Sequence, residues 1–528
     1  MAAPALGAPT QNWTVKKPVA ASRGGVVAAQ NGVAARVGAE VLAAGGSAVD
    51  AVVATAFALA VREPWNSGLG GIGFMVVNPP GGRAEVVDFG PVAPRGIDPA
   101  AFPLTGEMVT ELFTWPRVAG DRNMHGGLSF AVPSAVRGYA QAVERFGRTP
   151  WHDLVMPAAA LAREGLPVDW WVTVKTANAA ADLRRYDETR NIWLPDGLPP
   201  VCPAIGEATP LALGRLGDTL ARLAEAGPDD FYQGDIARAI AADSQEAGGV
   251  LDAEDLAACR ARIVPSLEIP YRGYAIHAAR GLSAAPTLAD VLDRLSSKRF
   301  AQAPNAIYFE ALIDALQQAY HARLEGLGDI QPAGGGDNCT THITAIDREG
   351  GVAALTSTLL SSFGSRYVLP RTGILMNNGV MWFDPRPGRP NSLGPGKRAL
   401  TNMCPAIAAR DGRARFGLGA SGGRRILGAI VQLASFIIDF AMPPEEAAHY
   451  PRINVSGDTG IAIDRRLGAA IRDRLAVRPG AAIVEHTAWP ARFACPNLVL
   501  RGEDGLNYGV GDVMSPWSAA VAEPGMEA

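Results

Sequence analysis

GGGDNCTTHITAIDREGGVAALTST, residues 334–358, sets three glycines and an Asp-Asn-Cys step directly against paired threonines at the head of an alternating run. The segment Asp347–Gly351 reads as a hairpin loop between two strands, and the simplest register pairs Ile346 with Val352. Counting outward then pairs Thr344 with Ala354, His342 with Thr356, Thr340 with Thr358, and Cys339 with Leu359. Side chains alternate across a strand, so one face carries Thr340, His342, Thr344, Thr356 and Thr358 and the other Ile343, Ala345, Ala353 and Leu355. On propensity alone this is a half-exposed edge hairpin whose threonines hydrogen-bond across the strands.

The same face supports a chemical role. A glycine-rich approach can present the Cys339 carbonyl to the Thr340 hydroxyl and permit an N-to-O acyl shift. The resulting free amine, with a reference pKa of about 7.7–8.0, would serve as base for its own hydroxyl.

The rest of the chain limits the alternatives. At 528 residues the chain exceeds the length at which single cores stop growing, so two domains or two interlocked halves are expected. A hydrophobic fraction of 48%, a charged fraction of 19% and a net charge of −4 give no basic excess, which argues against a nucleic-acid partner. The N-terminal stretch lacks a continuous apolar region ahead of its lysines, so a cytoplasmic location is expected. Ile426–Ala441 is too short to span a bilayer and contains Gln432 and Asp439, so no membrane association is expected. Five cysteines without CxxC spacing and scattered histidines imply neither a disulfide frame nor a metal site.

Val33, Val37 and Val41 share a helical face, Gly45-Gly46 stop that helix, and Ser47 with Asp50 resembles a cap for an apolar helix through Val61. Residues 134–165 and 211–262 have helical spacing, and Leu418–Phe440 reads as strand end, glycine turn and buried helix. Gly68, Gly70, Gly71 and Gly73 satisfy GxGxxG, but a helix precedes and a strand follows, the wrong order for a dinucleotide site. GASGG at 419–423 fits the nucleophile elbow of a serine hydrolase. Ser421 with Asp458 or Asp464, His486, and oxyanion donors from Met124–Gly127 would complete that alternative. A scaffold that has lost its chemistry is a third.

Taken together, GGSAVDA (45–51), SGLGGIGF (67–74), Asp88-Phe89, WHDLVMPAAALAREGLPV (151–168), TTHITAID (340–347), PGKRALTNMCP (395–405) and GASGGRRI (419–426) resemble the γ-glutamyltransferases, which are self-cleaving N-terminal nucleophile hydrolases. The resemblance implies an α+β fold, a four-layer αββα sandwich of two interlocked chains, residues 1–339 and 340–528. It implies Thr340 as nucleophile, Thr358 as its support, and Gly422 and Gly423 as oxyanion donors. No cofactor is implied. The partners are a small-molecule amide and the two chains of one precursor, with oligomerisation left open.

The departures bear on substrate. Gly90 stands where the family's carboxylate-binding arginine falls, and Leu360, Gly379 and Trp382 stand where an Asn and the receivers of the α-amino group fall. Thr401-Asn402 replaces a serine pair. Arg366 and Arg424 are candidate replacements for the carboxylate clamp. An acyl group lacking the α-amine is therefore expected, with a γ-glutamyltransferase using a rearranged clamp as the nearer alternative.

Overall fold

The computed structural model describes residues 16–109, 115–326, 338–457, 460–488 and 491–528, without the side chains of residues 325 and 338. Its two principal sheets use strands β1 (Ala20–Ser22), β2 (Val26–Ala29), β3 (Ile72–Asn78), β4 (Glu85–Phe89), β5 (Arg262–Pro265), β6 (Leu267–Tyr271) and β7 (Tyr274–Ala278). They continue with β8 (Asn338–Ile346), β9 (Val352–Ser361), β10 (Ala406–Arg410), β11 (Arg413–Ser421), β12 (Cys495–Arg501), β13 (Asn507–Gly511) and β14 (Ala519–Ala522). The helices that matter below are α1 (Gly32–Ala43), α2 (Ala48–Arg62), α3 (Trp170–Leu183), α4 (Ala285–Ser296), α5 (Ala306–Gly326) and α6 (Arg425–Ile438).

Each sheet has seven strands, in the orders β14-β2-β8-β9-β3-β4-β5 and β1-β13-β12-β11-β10-β7-β6. Neighbouring strands in both are antiparallel. Segments from before and after the Cys339–Thr340 junction therefore lie side by side in each sheet.

Three apolar clusters follow from the alternation of side chains across these strands. Ile343, Ala345, Ala353 and Leu355 of the hairpin pack with α1 and α2. Val26, Ile72, Phe74, Val86, Ile346 and Val352 of the first sheet pack with Ile407, Ala414 and Val499 of the second. The second sheet's remaining face, including Ile276, Phe416 and Leu498, packs with α4, α5 and α6.

Several local expectations hold for their stated reasons. Ser47 and Asp50 form a reciprocal capping box at the start of α2, which ends at Arg62. The GxGxxG match runs from the turn after α2 into the start of β3, helix before strand. Leu418–Phe440 runs from β11 through the Gly422-Gly423 turn into the buried α6. Among the described residues, no helix is long and apolar enough to cross a membrane. Val33 departs from its expected face: it lies in the first turn of α1 and is 47% exposed, while Val37 and Val41 are buried.

The hairpin itself needs two corrections. β8 and β9 occupy the middle of their sheet, flanked by β2 and β3, so the edge placement fails. The register is as expected from Ile346↔Val352 out to His342↔Thr356, and then slips. Thr341 faces Ser357 while Cys339 faces Leu360, so a bulge falls at Thr340, and neither Thr340↔Thr358 nor Cys339↔Leu359 is a ladder pair.

Candidate active site

The hydroxyl face of the hairpin is buried against the second sheet, and His342 is the pin between them. Its Nδ1 lies 2.9 Å from Thr356 Oγ1 and its Nε2 2.9 Å from Thr344 Oγ1. Thr344 donates to Asn497 Oδ1 at 2.7 Å, and the Asn497 amide donates back to the His342 carbonyl at 2.6 Å. Because the Thr344 proton is committed to Asn497, Nε2 carries the imidazole proton and Nδ1 accepts from Thr356. Burial pushes the His342 pKa down to about 3, so the ring is neutral and both nitrogens are spent.

Opposite the ring stands Gly419, where an added Cβ would lie 2.1 Å from His342 Cε1. A ring held on both sides cannot give way, so Gly419→Ala is expected to destabilise the fold by about 3 kcal/mol or more. Soluble yield and the urea midpoint check this; a midpoint unchanged from the parent would show that the sheets part easily at this point.

The bulge at Thr340 has a chemical consequence. Thr340 Oγ1 stands 2.8 Å from the carbonyl oxygen of Cys339 and 3.2 Å from Thr358 Oγ1. Thr358 donates to the same carbonyl oxygen at 2.6 Å and accepts from the Leu360 N–H at 2.8 Å. Leu360 has φ = 85°, a conformation that costs a leucine of order 1–3 kcal/mol, and this turn aims its N–H back at Thr358. The strain thus fixes the direction of the Thr358 proton, towards the Cys339–Thr340 peptide. Thr340 and Thr358, unpaired in the ladder, are nevertheless brought together through their side chains.

Gly422 and Gly423 form the turn between β11 and α6 with φ of 132° and 58°, values that favour glycine, and a Cβ on Gly422 would also meet Ala494 Cα at 2.9 Å. Gln30 ties this turn to the hairpin. Its amide donates to Ser421 Oγ at 2.5 Å and its carbonyl oxygen accepts from the His342 N–H at 3.3 Å. Gln30, Glu63, Asn66, Ser421 and Gly422 line one small pocket. Asn66 accepts the Leu359 N–H through its main-chain carbonyl, and its side-chain amide donates to Glu63 Oε2 at 2.6 Å. Burial raises the Glu63 pKa to about 8, so that carboxyl is largely protonated near neutrality. Gln30, Asn66 and Asn497 carried no sequence signal, since each acts through contacts made only in three dimensions.

The serine-hydrolase constellation does not assemble. His486 lies between Asp464 and Asp512, its Nδ1 3.4 Å from one and its Nε2 3.2 Å from the other, so both nitrogens face carboxylates and neither serves Ser421. The Gly126 N–H donates to the Ser365 carbonyl and the Met124 carbonyl accepts from Asn378, so this segment serves neighbouring loops. Asp458 lies outside the described residues.

The substrate candidates divide. Leu360 and Trp382 are buried in the same apolar cluster as Ile72 and Phe74. The Gly379 N–H donates to Asn377 Oδ1, and a Cβ there would meet Ala131 Cβ at 2.6 Å. Thr401 donates to the Leu282 carbonyl, and buried Arg323 donates to the Thr401 carbonyl and to Asn402 Oδ1, so this pair is fastened from behind. Arg366, with φ = 60°, is buried beside Asp182 of α3 at 3.8 Å and donates to the Gly364 carbonyl. Arg424 is buried at the start of α6, with its carbonyl accepting from the Tyr320 hydroxyl at 2.5 Å. At Gly90 an added Cβ would lie 2.8 Å from Phe74 Cζ and 3.2 Å from Arg398 Nη2. Among the described residues, no group of three His, Cys, Asp or Glu side chains is placed to hold a metal ion.

The fold is mixed α+β, built on two packed seven-stranded sheets. It resembles the cephalosporin acylase from Bacillus halodurans with a TM-score of 0.84, covering 98% of this chain and 99% of that one at 22% identity. The sequence matches the family described as gamma-glutamyltranspeptidase over residues 34–335 and 333–522, and the chain belongs to that family. It is 31% identical over 500 residues to the acylase ACY 1 proenzyme of Pseudomonas sp. (strain SE83), covering 88% of each chain. It is 30% identical over 513 residues to the glutathione hydrolase proenzyme of Escherichia coli (strain K12), covering 86% of this chain and 85% of the relative. This is an enzyme of the γ-glutamyltranspeptidase and acylase group, whose relatives are made as proenzymes.

Proposed function

We propose that the chain cuts itself between Cys339 and Thr340 and then acts as an amidohydrolase through an acyl-Thr340 intermediate. The observation that carries this is the Cys339 carbonyl oxygen facing two hydroxyls, Thr340 at 2.8 Å and Thr358 at 2.6 Å. In the first stage Thr340 Oγ1 attacks the Cys339 carbonyl carbon while its proton passes by way of Thr358 to the departing amide nitrogen. The C–N bond breaks and an ester forms. Water then hydrolyses the ester, leaving a Cys339 carboxylate and a Thr340 that carries both free amine and hydroxyl.

In turnover the amine takes the hydroxyl proton, Thr340 attacks the substrate amide, and the leaving amine departs with a proton. Water releases the acyl group. Gly422 and Gly423 are the proposed donors to the oxyanion, at a turn whose conformation needs glycine and which opens a helix. The three apolar clusters support a four-layer αββα arrangement, within which residues 1–339 and 340–528 interlock. The preferred acyl group is one without an α-amine, such as a dicarboxylic monoamide.

Intact-mass measurement and N-terminal sequencing test the first stage. Chains of 339 and 189 residues (528 − 339 = 189) are expected, the smaller beginning at Thr340. A small chain beginning at Cys339 would remove Thr340 as nucleophile, and an active unprocessed chain would remove both.

A further inference from the structure

We propose that Arg398, paired with Asp88, receives the far carboxylate of the acyl group in place of the arginine that position 90 lacks; this rests on the amidohydrolase function proposed above. The geometry begins with the strand rows. Thr358 of β9 is opposite Ile72 of β3, and Gly73 is opposite Phe89 of β4. Continuing the antiparallel count sets Gly90 beside Ile72, on the face shared with the Thr358 hydroxyl. With strands about 4.8 Å apart, Gly90 lies about 10 Å from Thr358 across one intervening strand.

The chain after Gly90 brings a cation to that place. Ala93 donates to the Lys397 carbonyl, Ala399 donates to the Pro91 carbonyl, and Val92 and Arg398 form an antiparallel bridge. This short ladder holds the Arg398 guanidinium 3.2 Å from the vacant Cβ position of Gly90. Asp88, on the same face, pairs with both Arg398 and Arg262. Two guanidiniums share one carboxylate, which leaves one positive charge uncompensated. The Arg398 side chain retains 24% exposure, whereas that of Asp88 retains 9%. Arg398 is thus the more exposed member of the pair.

The side chains around this row are apolar, as contact with a methylene chain would require. Leu360, Trp382, Phe74 and Ala399 belong to one apolar cluster, and Asn391 fastens the stretch by accepting from the Leu400 N–H and donating to the Trp382 carbonyl. A five-carbon diacid, with four C–C bonds of about 1.5 Å in zigzag, places its far carboxylate oxygen about 6–7 Å from the carbonyl carbon. Adding a charge-assisted hydrogen bond of about 2.8 Å spans the interval from the threonine hydroxyls to the Gly90 region. Arg366 and Arg424 have no comparable place on this row.

The test compares kcat/KM for glutaryl and butyryl anilides, which differ in the far carboxylate, in the processed wild-type enzyme and in Arg398→Gln. Wild type is expected to prefer glutaryl. In Arg398→Gln the glutaryl-to-butyryl ratio is expected to fall roughly 10- to 100-fold, mostly through the KM for the glutaryl substrate. Arg398→Lys keeps a point charge but loses the planar fork, so its ratio is expected to fall severalfold and to serve if the glutamine variant does not fold. A wild-type ratio near one, or an unchanged ratio in whichever variant folds and self-cleaves, overturns the assignment. Failure of the amine-free substrate class would appear instead in the γ-glutamyl-to-glutaryl ratio, which keeps the carboxylate and varies only the amine.

Discussion

Thr340→Ala is expected to give a single uncut chain of 528 residues with amidase activity reduced by at least about 10⁴-fold. The substitution removes the atom 2.8 Å from the Cys339 carbonyl oxygen, and with it both the proposed acyl acceptor for self-cleavage and the proposed nucleophile of turnover. Thr358 cannot substitute, because its hydroxyl points at the oxygen of that peptide and is oriented by the Leu360 N–H. Ser421→Ala is the matched control. It deletes only the acceptor of the Gln30 amide, so the chain should still cut itself, with a moderate loss of rate from loosening the neighbouring Gly422 turn. Gel analysis, intact mass and anilide hydrolysis read both variants. A dead Ser421→Ala beside a normally active Thr340→Ala would return the serine to candidacy despite the engagement of His486 by two aspartates.

The second large effect concerns substrate choice. Glutaryl anilide is expected to be preferred over γ-glutamyl anilide by about 10²–10⁴ in kcat/KM. The two share the far carboxylate and differ in one ammonium. The positions at which the family resemblance places that ammonium's partners hold Gly379 and Trp382, and Trp382 lies with Leu360 in one apolar cluster. An ammonium has three donors, and each charge-assisted bond left unmade costs about 1.5–3 kcal/mol. Two such losses amount to roughly 3–6 kcal/mol, the stated range in rate. A clear γ-glutamyl preference with release of glutamate would mean a rearranged clamp of the glutathione-hydrolase kind.

The hairpin shows what was legible in the sequence and what was not. Its inner register follows from the short Asp347–Gly351 loop and strict alternation, both local. The slip at Thr340 depends on Leu360 adopting a left-handed conformation, which a leucine does not advertise. The threonine face read as half-exposed because nothing nearby announces its cover. That cover is β11, more than fifty residues further on, where Gly419 admits the His342 ring. Thr340, Thr358, Gly422 and Gly423 were visible as motif positions, whereas Gln30, which ties their two neighbourhoods together, is an ordinary glutamine until the sheets meet. Arg398 stood inside a recognised motif, PGKRALTNMCP, but its relation to Gly90 is a fact of strand pairing rather than of spacing.

The alternation of early and late segments across both sheets bears on how the protein is lost. In the first sheet β14, β9 and all of β8 beyond Cys339 come from one side of the junction and β2, β3, β4 and β5 from the other, with β2 held between β14 and β8. Under the proposed cut, neither fragment would retain a complete sheet, and each would expose strand edges that the other covers. The peptide bond would then be an instruction used once, directing assembly and afterwards discarded. Heat or urea that separated the fragments would turn an intramolecular search into a bimolecular one between two incomplete, edge-exposed chains. The lifetime of a cut enzyme would be set by the rate of first opening, and its melting temperature is expected to move with scan rate.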